Sequence, residues 1–256
     1  MHKAFEKIDD VFADTARRKE EAARARTTRS LETALAPRDV FAGACRQISE
    51  AFIADGYKYA KSGPHLTKNS DPFSYRISFQ SSHNNIPGKH VVLWMHANVH
   101  SSRLKKWRGE QLKPYRKDGW VAGGMVHLLN RKSAMLEWEL ANEDNRRLVV
   151  DDAIRFIRSE VFSYFRRFDD SSAVISELCL KEVPAFELAS SIEFALCFGN
   201  HQQAQLILNR FISQRTDLHD QIETSTQAFR NEGFPAYHPT AYADQVAWVR
   251  TAYHLE

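Results

Sequence analysis

The side chains with the most chemistry to offer lie in the middle third of the chain. Between residues 89 and 100 one set of alternate positions reads His90, Val92, Trp94, His96, Asn98, His100, and the other reads Val91, Leu93, Met95, Ala97, Val99. From Phe73 to Ser82 the apolar Phe73, Tyr75, Ile77 and Phe79 alternate with Ser74, Arg76, Ser78 and Gln80. Alternate residues of an extended chain share a face. Two such strands, once paired, therefore set Arg76, Gln80, Trp94, His96, Asn98 and His100 on one surface, within reach of Glu137 and Glu139. His96 and His100 are four residues apart, about 13 Å along a strand, which is too far for both to ligate one ion. No metal and no cofactor is expected here. A carboxylate from Glu137 or Glu139 against His96 would fix the imidazole tautomer and make a general base, so a hydrolase is one reading. A recognition surface anchored on Trp94 and His96 is another.

A second set is basic. Arg103, Lys105, Lys106, Arg108, Lys113, Arg116 and Lys117 surround Trp107 and Tyr115, and Glu110 is the only acid among them. Clustered cations with interleaved aromatics suit a phosphate backbone with stacked bases, or an acidic protein. Read as a loop, this segment matches no nucleic-acid module: it has no paired aromatic strands, no G-x-x-G clamp and no zinc spacing. The sequence also lacks G-x-S-x-G, H-E-x-x-H, G-x-x-x-x-G-K-[ST] and G-x-G-x-x-G. Gly123-Gly124, inside a strand candidate, marks a bulge or a close backbone approach. Cys45, Cys179 and Cys197 fall on apolar helical stripes, where cysteine is a small buried hydrophobe.

What positions these groups follows from pattern. The chain has 256 residues, enough to bury a sizeable core. With Lys+Arg 35 against Asp+Glu 32, the surface is not uniformly basic. Three cysteines without a C-x-x-C fit a reducing cytoplasm better than a disulfide framework. The start MHKAFEKIDD carries charge too early for a secretory signal, and no window approaches a membrane span. Residues 1–36 read as a basic helical arm, with Arg17, Arg18, Lys19, Arg24, Arg26 and Arg29, that could pair with a second copy. Pro37 opens a helix whose apolar residues recur from Val40 to Phe52, and Gly56 closes it. Residues 57 to 68 supply a first strand or hairpin, and strands are expected at Phe73 to Ser82, 89–100, Trp120 to Leu129 and Met135 to Leu140. Beyond Asn142 the period becomes helical: a stripe from Val149 to Phe168, then Ser171 to Val183, Pro184 to Phe198, His201 to Gln214, Thr216 to Arg230 and Thr240 to His254. The class is α+β, divided as arm 1–36, sheet domain 37–145 and helical domain 146–256.

The order of a helix closing on ADGYKYAKSGPHLTK, a strand ending FQSSHNN, a strand with a basic segment, and a helix running into FSYFRRFDDSSAVISEL resembles a bacterial family of unknown function over residues 38–215. The resemblance implies a fold and a bacterial cytoplasmic setting, and carries no catalytic residues. The reading is a non-enzymatic interaction protein, an immunity or adaptor factor of a toxin or defence system. It would bind an acidic protein through Arg76, Gln80, Trp94, His96, Asn98, His100, Arg103, Lys105, Lys106, Trp107 and Arg108. The alternatives are a nucleic-acid binder using residues 103–117 with the arm at 17–29, and the His96 hydrolase.

Overall fold

A computed structural model of the chain describes residues 35–130, 134–236 and 239–256, and Lys19. Apart from Lys19, Leu35 and Ala36, the expected basic arm and any pairing through it lie outside the described residues.

Helix α1 (Pro37–Glu50) begins where proline's fixed φ suits a first turn, with Asp39 beside the positive helix end. Its buried stripe of Val40, Phe41, Ala44, Cys45 and Ile48 recurs at three- and four-residue steps. The chain then leaves through hydrogen-bonded turns to Gly56, at φ 86. Strands β1 (Lys58–Ala60), β2 (His65–Ser70), β3 (Phe73–Ser81) and β4 (Val92–Ser101) run as an antiparallel meander. The other edge of β4 takes β5 (Trp120–Met125) and, at its beginning, β6 (Trp138–Glu139). The alternation of buried and half-exposed residues from Phe73 to Phe79 and from Leu93 to Ser101 is the sequence's period of two made visible.

Helices cover one face of this sheet. A stripe from Val150 to Phe168 runs through α3 (Glu143–Phe156), a π-helical turn (Ile157–Val161), α4 (Phe162–Arg166) and a 3₁₀ turn (Arg167–Asp169). Phe165 stacks on Tyr75 at 4.9 Å, and Phe168 meets Phe73 at 6.0 Å. Helix α5 (Ser171–Leu180) is capped by Asp170, and α6 (Leu188–Phe198) brings Phe194 and Phe198 against Phe73 at 6.3 and 5.3 Å. Each such ring contributes about 1.5–3 kcal/mol on burial. Helix α7 (His201–Gln214) starts with a capping box on Asn200 and Gln203; α8 (His219–Glu232) and α9 (Tyr242–Ala252) pack as a pair. The α+β class, with a helical C-terminal part, is the observed one. No described helix is long and apolar enough to cross a membrane.

Several boundaries differ from expectation, four of them for reasons that bear on the site. The basic segment is a helix, α2 (Ser102–Glu110), because Ser101 caps it by accepting from Leu104 N at 3.2 Å. Strand β5 stops at Met125, after Gly123 and Gly124 take φ of 133 and 155, and a 3₁₀ turn (Val126–Asn130) follows. Only Trp138–Glu139 of the Met135 to Leu140 candidate pairs. Helix α6 starts at Leu188 and not at Pro184, since Ala185, at φ 55, turns its carbonyl to Gly123 N at 2.7 Å. The expected division between residues 145 and 146 falls in the first turn of α3, which Asn142 caps. Buried apolar residues from both sides of it join one continuous cluster.

Candidate functional site

The face of β2–β5 turned away from the core is the candidate site. Register places Arg76 opposite Asn98, Ser78 opposite His96 and Gln80 opposite Trp94. On the other edge His96 faces Met125, Asn98 faces Gly123 and His100 faces Trp120. The expected set from β3 and β4 is thus brought together, and each of its side chains keeps part of its surface open. Gly123 allows the close packing on which this register depends: a Cβ there would stand 2.2 Å from Ala97 O and 2.7 Å from Asn98 Cα. The ladder shifts register between Val99 and His100, where Val121 is the extra residue. Gly123 and Gly124 themselves stay in register, so of the two readings of that pair it is the close approach that the structure shows at Gly123.

Side chains on this face hold one another in place. His96 Nε2 donates to Gln80 Oε1 at 2.9 Å, Trp120 Nε1 to Asn98 Oδ1 at 3.1 Å, and Trp94 Nε1 to Glu137 Oε1 at 2.9 Å. Arg116 lies over the Trp120 ring at 4.5 Å and binds Asp118 through Nε and Nη2, both at 3.2 Å. Arg76 is the exception. Its Nη2 sits 3.2 Å from His65 Nδ1, but that nitrogen is already committed to the Gly63 carbonyl at 2.6 Å, so it must carry a proton and cannot accept. Arg76 Nε is buried and has no acceptor at all. Nε of a half-buried guanidinium therefore stands on this face as a donor that nothing inside the chain meets.

The imidazoles are tuned by the same packing. Burial lowers the His96 pKa, helped by His127 nearby. Burial also lowers that of His100; Asp118 opposes this and Arg76 and Arg116 reinforce it. Both rings are thus held toward the neutral form.

Two expectations fail on geometry. The first is the His96–glutamate pair. Glu139 lies on β6, opposite Val92, four residues or about 13 Å from His96 along β4, and it binds His90 Nδ1 at 2.6 Å and Val91 N at 2.8 Å. Glu137 takes the Trp94 indole, so His96 faces an amide where a general base needs a carboxylate.

The second is Arg108 as a surface contact. Leu104 and Arg108, one helical turn apart, are the buried positions of α2. Arg108 Nε donates to Glu193 Oε2 at 2.7 Å, Nη2 lies 2.6 Å from the same oxygen, and Nη1 reaches the Asp118 and Trp120 carbonyls at 2.9 and 2.7 Å. Glu193 Oε1 in turn accepts from Tyr115 N and the Tyr253 hydroxyl, each at 2.6 Å. Both partners are 0% exposed, so this network joins α2, β5, α6 and the end of α9 from inside. Trp107 is half-buried against Tyr253 at 5.6 Å. Arg103 spends Nη2 on the Cys197 carbonyl at 2.9 Å and lies over the Phe198 ring at 4.7 Å. Arg103 is exposed but engaged in this way, and Lys105 and Lys106 are the other exposed cations of the five-residue set.

Among the described residues no group of three His, Cys, Asp or Glu side chains is arranged to hold a metal ion. Burial pushes the Cys45 thiol up to about 12 and raises those of Cys179 and Cys197, so none is poised as a thiolate.

Sequence reasoning missed His65, Trp120 and Glu193. Trp120 heads a recognised strand, and pairing that strand with β4 would have placed it. Glu193 is the one acid within the apolar run LASSIEFALCF, a signal of a buried charge that needs a cation. The chain was compared with family models, with curated proteins and with solved structures, and nothing in any of the three matches it.

Proposed function

We propose that the chain is a non-enzymatic interaction protein whose outer sheet face, with Lys105 and Lys106 of α2 as further positive charge, takes an acidic surface of a protein partner. The observation that carries this reading is Arg76, a half-buried guanidinium whose Nε has no acceptor, beside side chains that are already fixed. A partner carboxylate would complete it at little ordering cost, because His96, Asn98 and Trp94 are held by Gln80, Trp120 and Glu137 before binding. Trp94 and Trp120 add the amphipathic anchors that interfaces favour. The nucleic-acid alternative draws less support, since Arg108 is buried and Arg116 is engaged by Asp118. The resemblance over residues 38–215 supports a bacterial cytoplasmic setting, and an immunity or adaptor role is its most concrete form.

The test is site-specific crosslinking from the outer face in the native host. A photo-crosslinking residue at Ser78 or Gln80 should trap one acidic protein that the same residue at Arg166, on α4, does not. Trp94→Ala and Arg76→Gln should then each weaken the purified pair about tenfold or more, roughly 1.4 kcal/mol. Equal trapping from both positions, or unchanged affinity in both variants, sinks the reading.

A further inference from the structure

Arg210 on α7 lines a cleft of about 880 Å³, well within the range of small-molecule sites. The floor and walls come from the free side of β5 at Gly123, the segment 182–188, Phe211 of α7, and Thr240, Tyr242 and Gln245 at the start of α9. Apolar surface from Val183, Phe186 and Phe211 is thus set beside a cation.

The nitrogen atoms Nε and Nη1 of Arg210 are buried and have no hydrogen-bond partner. Arg108 shows what the same fold does with a buried guanidinium that has a purely internal role, for every nitrogen of it has an acceptor. Glu182 lines the cleft too, yet makes no bond to either unmet nitrogen. Arg116 and Glu187, also in the lining, pair with each other at 3.6 Å. The wall is held in a sparsely populated form, with Ala185 at φ 55, and is tied to β5 through Gly123 N. Such backbone is kept where surrounding structure over-determines it, a frequent property of ligand clamps.

We propose that this cleft is a binding site for a small organic anion, in which Arg210 receives a carboxylate or phosphate oxygen and the apolar wall at Val183, Phe186 and Phe211 receives the body of the molecule. Guanidinium–oxyanion hydrogen bonds are strong because both partners are charged. Nη2, the nitrogen of Arg210 that is not shut away, offers the first contact, and the charge that Nε and Nη1 share with it has no acceptor inside the chain. Burial works against the charge of Arg210, partly offset by Glu182 and Cys179, so an anion entering the cleft gains from a cation poorly served by its surroundings. The site lies beyond the outer sheet face, and its failure would leave the partner reading standing.

The experiment is ¹⁵N NMR of the arginine side chains of the full chain, titrated with benzoate, with phenyl phosphate and with neutral benzyl alcohol. The expected result is a saturable shift of the Arg210 Nε–H signal in the millimolar range with one or both anions and none with the alcohol. Saturation by benzoate alone names a carboxylate source, and by phenyl phosphate alone a phosphate source. Arg210→Gln should abolish the effect while Arg166→Gln keeps it. Should Arg210→Gln fail to fold, the backbone amides of Thr240 and Gln245 in the native chain must follow the same saturation curve. No saturable shift with either anion, or equal shifts with benzyl alcohol, overturns the proposal.

Discussion

The sheet carries two polar clusters within a few residues of each other, and they are finished differently. Behind β5, Arg108 and Glu193 are wholly buried and their donors and acceptors are matched, down to the Tyr253 hydroxyl and the Tyr115 amide. On the outer face Trp94, His96 and Asn98 are each held by one neighbour, and Nε of Arg76 is left without an acceptor. A network with nothing left to bond can only hold the fold together. A half-open one with an unmatched cation has something left to give a partner. The two differ in accessibility as well: the first is closed to solvent, the second keeps part of every side chain open.

The sharpest way to break this contrast is to cut the closed network. Arg108→Ala should cost about 3–5 kcal/mol, because it strands the Glu193 charge in the interior. Urea denaturation with the slope held constant measures it. The double replacement Arg108→Met with Glu193→Leu should recover part of the loss and not all of it, since the Tyr115 amide and Tyr253 hydroxyl lose their acceptor. A cost below about 1 kcal/mol for Arg108→Ala would erase the distinction between the clusters. Next comes the glycine that lets β5 pack against β4 beneath the outer face. Gly123→Ala forces a Cβ against the Ala97 carbonyl at a φ of 133, and about 2 kcal/mol or more should be lost. Here the strand ladder itself reports the damage: amide exchange along Ala97 and Asn98 should accelerate beyond what the global loss explains.

The outer face was legible in the sequence for a physical reason. Alternation of Phe73, Tyr75, Ile77 and Phe79 with Ser74, Arg76, Ser78 and Gln80 admits one register once one side must be buried, and a slip by one residue would expose the whole set. The helices beyond Asn142 were legible through their stripes and caps, Asn200 and Asp170 among them. The closed network was not. Arg108 sits among Arg103, Lys105 and Lys106, and sequence composition gives no way to tell the buried cation from the solvated ones. Its burial follows from Leu104 one turn earlier and from Glu193, 85 residues away, so the information is tertiary. Pro184 misled for a related reason: proline permits a helix start but does not demand one, and the carbonyl of Ala185 was claimed by β5.

A smaller perturbation tests the open face itself. Asn98→Leu removes the acceptor of Trp120 Nε1, which is only part-buried and can turn to water. About 1 kcal/mol or less should be lost, with a red- or blue-shifted indole emission to show that Trp120 has changed surroundings. A loss as large as that of Arg108→Ala would mean the outer face is also a structural lock.

The slightest effect expected is a slope with pH, and on the open face it acts with opposite sign on stability and on recognition. His96 and His100 are held below the ordinary histidine value of 6.5 in the fold, chiefly by burial, so the folded chain binds fewer protons than the unfolded one. Their contribution is therefore complete above that value and fades as the pH falls through the folded values. Stability measured by urea at a series of pH values between about 7 and 5 should decline gently, and His96→Gln with His100→Gln should flatten the curve. Protonation acts the other way on recognition, because each imidazolium adds a positive charge beside Arg76 on the face that meets an acidic partner. Mild acid should thus tighten the complex while it loosens the fold, and the double glutamine variant should lose both trends together. A partner affinity that weakens in parallel with stability over the same range would show that the imidazoles serve only the scaffold.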